Sequence, residues 1–240
     1  MSNDIKRIEG GFAFKQFTIK HDQCAMKVGT DGVLLGAWAY GGKHILDIGT
    51  GTGLVALMMA QRFPNANITA IDIDDGAIRQ AQENINCSPF ADRVSVKHYS
   101  LQQYADNNLF ANKFDCIVSN PPFFEESLRC PSESRNTARH TDSLSYEELV
   151  YHSNKLLSDS GIINIIIPVD YISRIESVCA YNSLFITEKL LIRTTERKLA
   201  KRVLLRIEKH SSTIICTEQN LMCDGCRSKW YADITRDFYL

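Results

Sequence analysis

The sequence predicts an α/β fold in which a mostly parallel β-sheet carries helices on both faces. Two observations predict it. From His44 onward, short β-rich runs alternate with helical stretches, which is the pattern of parallel strands joined by crossover helices. After Ile175 the alternation gives way to two β-rich runs, LFITEKLLIRT and KRVLLRIEK, joined by a charged link. These read as a hairpin that closes the sheet and makes it mixed. A chain of 240 residues suits one large domain, or one domain with a small appendage.

The elements follow in order. Residues 1–43, with KVGTDGVLLGAW inside, read as an extension packing over the first helix and the mouth of the sheet, and residues 44–240 as the domain proper. The apolar stretch 33–38 reads as core. Strands are expected at 44–48, 67–72, 93–98, 113–119 and 161–168. Between the first two, LVALMMAQRF is apolar nearly all round, as a helix packed on a sheet can be. Between the next two, Ala77, Ala81 and Ile85 recur every four residues and share one helical face. Ser145 and Glu148 stand three apart as a capping box, so a helix begins there.

Composition sets limits. With 44% hydrophobic and 23% charged residues and a net charge of -1, the chain is of the ordinary globular kind, and a polyanion would have to be held by a local cluster of Lys and Arg. The charged start MSNDIKRIEG lacks the apolar core of a leader, and no apolar run approaches the roughly 20 residues that span a bilayer. A cytoplasmic protein with no membrane association is expected. The eight cysteines are scattered, which suits reduced thiols. Cys223 and Cys226 form one C-x-x-C without a matching second pair, so they read as ordinary thiols and no metal is expected. Nothing implies an oligomeric partner.

The segment ILDIGTGTGL runs from a strand directly into a helix. Gly49, Gly51 and Gly53 let a nucleotide-type ligand approach the backbone, and the helix N-terminus offers free N–H groups. A dinucleotide loop would need G-x-G-x-x-G, and its third glycine position is Leu54. Instead Asp47 precedes the glycines, inside the strand end. A carboxylate there repels a diphosphate and suits a cationic ligand, directly or through water; S-adenosylmethionine carries an ammonium and a sulfonium. The second strand ends at Asp72, whose carboxylate can accept from both hydroxyls of a ribose. A glycine turn with a capping Asp would explain any one of these features alone.

At the end of the fourth strand stands FDCIVSNPPFF. Crevices outside the carboxyl edge of such sheets bind ligands. The nitrogen of an adenine amine is a poor nucleophile, because its lone pair is delocalised into the ring. The side-chain oxygen of Asn120 and the carbonyl of Pro121 can accept its two hydrogens and favour a pyramidal nitrogen. Pro121 and Pro122 stiffen the turn, limiting reorganisation, and Phe123 can stack on a flat base. No metal and no strong base is needed. An N-P-P triplet by itself would leave a proline turn equally open; behind the glycine loop at this strand interval it points to methyl transfer onto a planar amine.

These residues resemble the class I methyltransferases bearing an N-P-P-[FY] motif, in particular the bacterial tRNA1(Val) (adenine(37)-N6)-methyltransferase family. The similarity runs nearly end to end, through FKQFTIKHDQCAMKVGTDGVLLGAWA, ILDIGTGTGL, AQENINCSPFADRV, SNPPFF, KRVLLRIE and the final DFYL. The resemblance implies a Rossmann-like, seven-stranded sheet with its last strand antiparallel, S-adenosylmethionine as cofactor, and as substrate the adenine beside the anticodon of a valine tRNA. It implies that Asp47, Gly49, Gly51 and Gly53 line the cofactor, Asp72 its ribose, and Asn120, Pro121, Pro122 and Phe123 the target adenine. Thr30 and Asp31 match the segment that caps the donor pocket. One departure is Ser100, which stands where such enzymes commonly place an Asp against the cofactor's adenine amine.

RNA would need cations. The link 192–206 carries Arg193, Arg197, Lys198, Lys201, Arg202 and Arg206 against the single acid Glu196, a cluster fit for phosphates and equally the look of a solvated hairpin. Arg129, Arg135, Arg139 and His140, in the long segment after the N-P-P-F motif, are further candidates. The same clamp would hold the amide of a protein glutamine, so a glutamine methyltransferase is an alternative, as are a DNA adenine methyltransferase and a cofactor-binding module without catalysis. The basic link and the KVGTDGVLLGAW segment favour RNA.

Overall fold

The computed structural model describes residues 6–24, 28–106, 113–122 and 144–240, with residues 6–8 described by backbone alone. The chain opens with a small antiparallel sheet, β1 (Lys6–Ile8), β2 (Gly11–Ala13) and β3 (Thr18–Lys20), followed by helix α1 (Thr30–Trp38). Then come β4 (His44–Ile48), α2 (Leu54–Arg62), β5 (Asn67–Asp72), α3 (Asp75–Asn86), β6 (Val94–His98), α4 (Leu101–Ala105) and β7 (Phe114–Ser119). The helix Tyr146–Leu156 leads into β8 (Leu157–Pro168), and the helix Ile172–Tyr181 into the hairpin of β9 (Phe185–Thr195) and β10 (Arg202–Glu208). Strands β11 (Ile215–Cys223) and β12 (Cys226–Arg227) and the helix Lys229–Thr235 complete the described chain.

The main sheet has nine strands in the order β12-β11-β9-β10-β8-β7-β4-β5-β6. Seven of them, from β6 to β9, form the expected mixed sheet, and β10 is antiparallel to both β8 and β9. The expected count of seven becomes nine among the described residues. The hairpin does not close the sheet either, because β10 inserts between β8 and β9, and β11 then adds to β9 in parallel. Strand β11, ICTEQNLMC, is largely exposed and shows no apolar alternation, so its backbone pairing leaves no mark in the sequence.

Alternation along the inner strands feeds two cores. Leu46, Ile117, Ile163, Ile165, Ile167 and Leu205 face the layer built by α4 and the helices Tyr146–Leu156 and Ile172–Tyr181. Ile45, Cys116, Val118, Ile166 and Leu204 face the layer of α1, α2 and α3. Helix α2 buries seven consecutive residues, Leu54 to Ala60, because α1 covers the side that the sheet does not. Ala77, Ala81 and Ile85 are buried together on α3. The capping box forms as expected: Ser145 Oγ accepts from the Glu148 N–H at 3.2 Å, and the Ser145 N–H donates to Glu148 Oε2 at 3.0 Å.

Residues before His44 share the first core through Phe14, Phe17, Ile19, Val33, Leu34 and Leu35. A polar clasp fixes their path. The buried Asn84 side chain accepts from the Lys20 N–H (2.9 Å) and donates to the carbonyls of Lys20 (2.9 Å) and Thr52 (2.8 Å). It thereby joins β3, α3 and the loop after β4. Removing the amide would leave buried backbone groups unpaired, each costing about 1–3 kcal/mol. Asn84→Ala is expected to destabilise the fold by roughly 2–4 kcal/mol, read from the denaturant midpoint, and to speed hydrogen exchange of the Lys20 amide most of all.

Candidate active site

The site lies where the chain reverses its direction across the sheet. From β4 the strands proceed through β5 to β6 on one side, and through β7 to β8 on the other, which makes the β4–β7 boundary the switch point where such sheets bind ligands. Ile48 of β4 pairs with Ile71 of β5 and with Ser119 of β7. The next residue of each strand therefore stands at one level on the carboxyl edge: Gly49, Asp72 and Asn120. Neighbouring strands are about 4.8 Å apart. Ser119 Oγ donates to the Ile48 carbonyl at 2.9 Å and ties the two strand ends together.

The loop after β4 is shaped by its glycines. Gly49, Gly51 and Gly53 have φ of 68°, 56° and 80°, the left-handed region that other residues resist. A Cβ at Gly49 or Gly51 would meet nothing within 4 Å, so the loop presents bare backbone to open space. Gly53 is the N-cap of α2 and offers no side-chain cap. Asp47 replaces it: its Oδ2 accepts from Thr50 Oγ1 at 2.6 Å and from the Ala56 N–H at 3.2 Å. The N–H groups of Leu54 and Val55, in the first turn, have no intrahelical acceptor by helix geometry. The sequence pointed Asp47 toward a cationic ligand; in the fold the residue is 1% exposed and clasps the loop from within.

Asp72 faces the same loop from β5. Its Oδ2 accepts the Gly51 N–H (2.8 Å) and its Oδ1 the Asp74 N–H (3.0 Å), leaving a further lone pair on each oxygen. Ser100 is the N-cap of α4, with Oγ accepting from the Gln103 N–H at 3.1 Å. This capping work explains a serine at that position. Together the bare glycine backbone, the first turn of α2 and the half-buried Asp72 form a cradle that fits a nucleoside carrying an amino acid.

Across the switch point, Asn120 presents the feature that sequence alone could not show. Its Oδ1 is buried and has no hydrogen-bond partner among the described residues. Buried acceptors are rarely left so, and this one stands beside the cradle. Pro121 is buried and Pro122 half-buried behind it. Phe123 and Arg139, with Arg129, Arg135 and His140, lie outside the described residues.

Two expected site residues meet each other. Asp31, in the first turn of α1, accepts from Arg202 Nε at 2.7 Å, so the cation proposed for phosphate and the acid proposed for the donor pocket are paired. Thr30, the first residue of α1, is exposed. Arg193 pairs with Glu218, and Arg206 with Glu188 and Glu208. Arg197, Lys198 and Lys201 are exposed and form no ion pair among the described residues. Since β9 runs parallel to β8, their link leaves the sheet at the carboxyl edge, the edge that carries Asn120. Tyr146, which the sequence did not single out, starts its helix at this same edge with a buried hydroxyl that has no partner among the described residues. Cys223 and Cys226 flank the Asp224–Gly225 turn as exposed free thiols. No three or more His, Cys, Asp and Glu are placed to hold a metal among the described residues, and no helix there is long and apolar enough to cross a membrane.

Comparison with known proteins bears directly on this geometry. Residues 32–171 match the family model described as "Methyltransferase small domain". The chain is 46% identical to the tRNA1(Val) (adenine(37)-N6)-methyltransferase of Bacteroides thetaiotaomicron over 95% of its own length and 97% of the relative's. The chain belongs to this methyltransferase family. The relative of the same description from Yersinia pestis is 37% identical over 96% of this chain and 94% of its own. Solved structures share the fold. A predicted O-methyltransferase from Agrobacterium tumefaciens superposes with a TM-score of 0.68 at 18% identity, covering 87% of this chain and 96% of that one. Pyrococcus horikoshii TYW2, solved with MeSAdo, gives a TM-score of 0.58 at 16% identity, with 87% and 73% covered.

Burial pushes the Asp47 carboxyl up to about 7, against the hydrogen bonds from Thr50 and Ala56, with the nearby Asp72 charge adding to the rise. The folded state therefore holds a proton that the unfolded state has released, starting from an ordinary value of 3.8. The stability this contributes is complete below the ordinary value and is lost as pH rises through about 7. Asp47→Asn is expected to flatten the pH dependence of the denaturant midpoint across that window, by up to about 1.4 kcal/mol per pH unit.

Proposed function

We propose that this chain transfers the methyl group of S-adenosylmethionine to the N6 amine of an adenine in tRNA, and that the acceptor is adenine 37 of tRNA1(Val). The observation that carries the reading is the buried Oδ1 of Asn120, without a partner among the described residues, one strand from the bare backbone of Gly49 and Gly51. The end-to-end likeness to relatives of that description supports the choice of acceptor.

When bound, S-adenosylmethionine supplies an electrophilic methyl on a sulfonium. The chain's own residues do the rest. The remaining lone pairs of Asp72 receive the ribose hydroxyls, and the first-turn N–H groups of α2 receive the ligand carboxylate. Asn120 Oδ1 and the Pro121 carbonyl accept the two amine hydrogens, drawing the nitrogen lone pair out of the ring plane and toward the donor. Their positions are set before the substrate arrives, because β7 is hydrogen-bonded to β4 and β8 on its two sides, and such preorganisation removes a reorganisation cost from the transition state. The proton leaves from the methylated nitrogen, which is acidic enough to need no strong base.

Asn120→Ala is expected to lower the single-turnover rate by at least about 100-fold while the affinity for S-adenosylmethionine, by calorimetry, changes little. Equal loss of both would remove the clamp. Radiolabelled donor with undermodified tRNA, a release-factor glutamine peptide and duplex DNA decides the acceptor: label is expected in N6-methyladenosine of the tRNA, and label on glutamine would overturn the reading. Replacing Arg197, Lys198 and Lys201 together by alanine is expected to reduce the slope of log affinity for tRNA against log salt by roughly 2–3, with binding of S-adenosylmethionine unchanged.

A further inference from the structure

The link between β9 and β10 carries more than charge. At its tip Leu199 is 84% exposed, among the exposed cations Arg197, Lys198 and Lys201. The turn that presents it is held from several sides. The Lys198 N–H donates to the Thr195 carbonyl at 3.1 Å and the Lys201 N–H to the Ile192 carbonyl at 3.0 Å. The Arg193 guanidinium donates to the Glu196 carbonyl at 3.3 Å, and the Cys223 thiol to Glu196 Oε2 at 3.5 Å. A single exposed leucine needs no explanation in general. This one crowns a fixed turn at the substrate edge, ringed by cations that pair with no described acid.

A polyanion with apolar faces fits such a tip. RNA is one: its phosphates suit the cations, and its bases offer flat apolar faces once a neighbour leaves the stack. The register gives the distance. Ser119 pairs with Ile165, whereas Arg202 pairs with Pro168, three residues farther along β8. Asn120 stands one residue beyond Ser119, so the start of β10 lies about 7 Å above its level and two strand spacings, about 10 Å, to its side. A base that swings out of a stacked loop into the Asn120 pocket crosses a gap of this order, and leaves a space in the stack that an apolar side chain can fill.

We propose that Leu199 is a wedge that enters the RNA stack as the target adenine leaves it, making it a positioning residue for base extrusion. The inference rests on the RNA-methylation reading above. In full-length Leu199→Ala, the single-turnover rate on tRNA is expected to fall on the order of 10-fold, with tRNA affinity changed less than about 2-fold because the phosphate-binding cations remain. A tRNA carrying 2-aminopurine at the target position, which lacks the N6 amine and reports only unstacking, is expected to brighten with the parent enzyme and not with the variant, and Leu199→Met to restore both signals. Equal rates and equal fluorescence for Leu199→Ala and the parent would overturn the wedge, as would a loss confined to affinity. A parent enzyme that methylates no RNA would sink the RNA reading and the wedge together, whereas an active parent with an indifferent variant sinks the wedge alone. An unchanged thermal midpoint, expected for so exposed a residue, separates these outcomes from misfolding.

Discussion

Everything at the site depends on β4 being hydrogen-bonded in parallel on both edges, by strands whose connections leave in opposite directions. That one arrangement lines up Gly49, Asp72 and Asn120 on the carboxyl edge of the sheet. No loop has to find the geometry by itself. A parallel ladder fixes register through evenly spaced bonds, and a one-residue slip would turn every apolar residue of the strand to the wrong core. The two hydrophobic layers therefore hold the alignment of Gly49, Asp72 and Asn120.

Around this frame, buried polar groups are spent on holding loops. Asp47 caps α2 in place of a glycine that cannot, and that substitution lets the N-cap position adopt a left-handed backbone while the helix start stays satisfied. Asn84 does comparable work between β3, α3 and the glycine loop. The Asn84 amide makes three hydrogen bonds and Asp47 Oδ2 two, whereas the Asn120 oxygen is buried without a partner among the described residues.

Charge is arranged by the same economy. Of the six cations in the link from Arg193 to Arg206, the three nearest the strands are absorbed by acids: Arg193 by Glu218, Arg202 by Asp31 and Arg206 by Glu188 and Glu208. The three at the turn extend into solvent. A chain with a net charge of -1 thus keeps a small positive prominence beside its reaction edge, and the Arg202–Asp31 pair joins that prominence to the helix that borders the donor side.

By itself the sequence determined the alternation of strands and helices, the glycine loop, the capping box at Ser145 and the end of the fourth strand before Asn120, because each is written in local periodicity or in residue types with few conformational options. It did not reveal β11, whose mostly polar residues carry no period and whose pairing is chosen by the free edge of β9. Nor did it reveal that Gln80 and Asn84, polar residues on an amphipathic helix, are buried; only the return of residues 17–23 over α3 covers them. The inward turn of Asp47, the pairing of Arg202 with Asp31 and the idle oxygen of Asn120 were likewise decided by tertiary structure. Each depends on what lies opposite a side chain across 9 to 171 positions of sequence, and local pattern holds no information at that range.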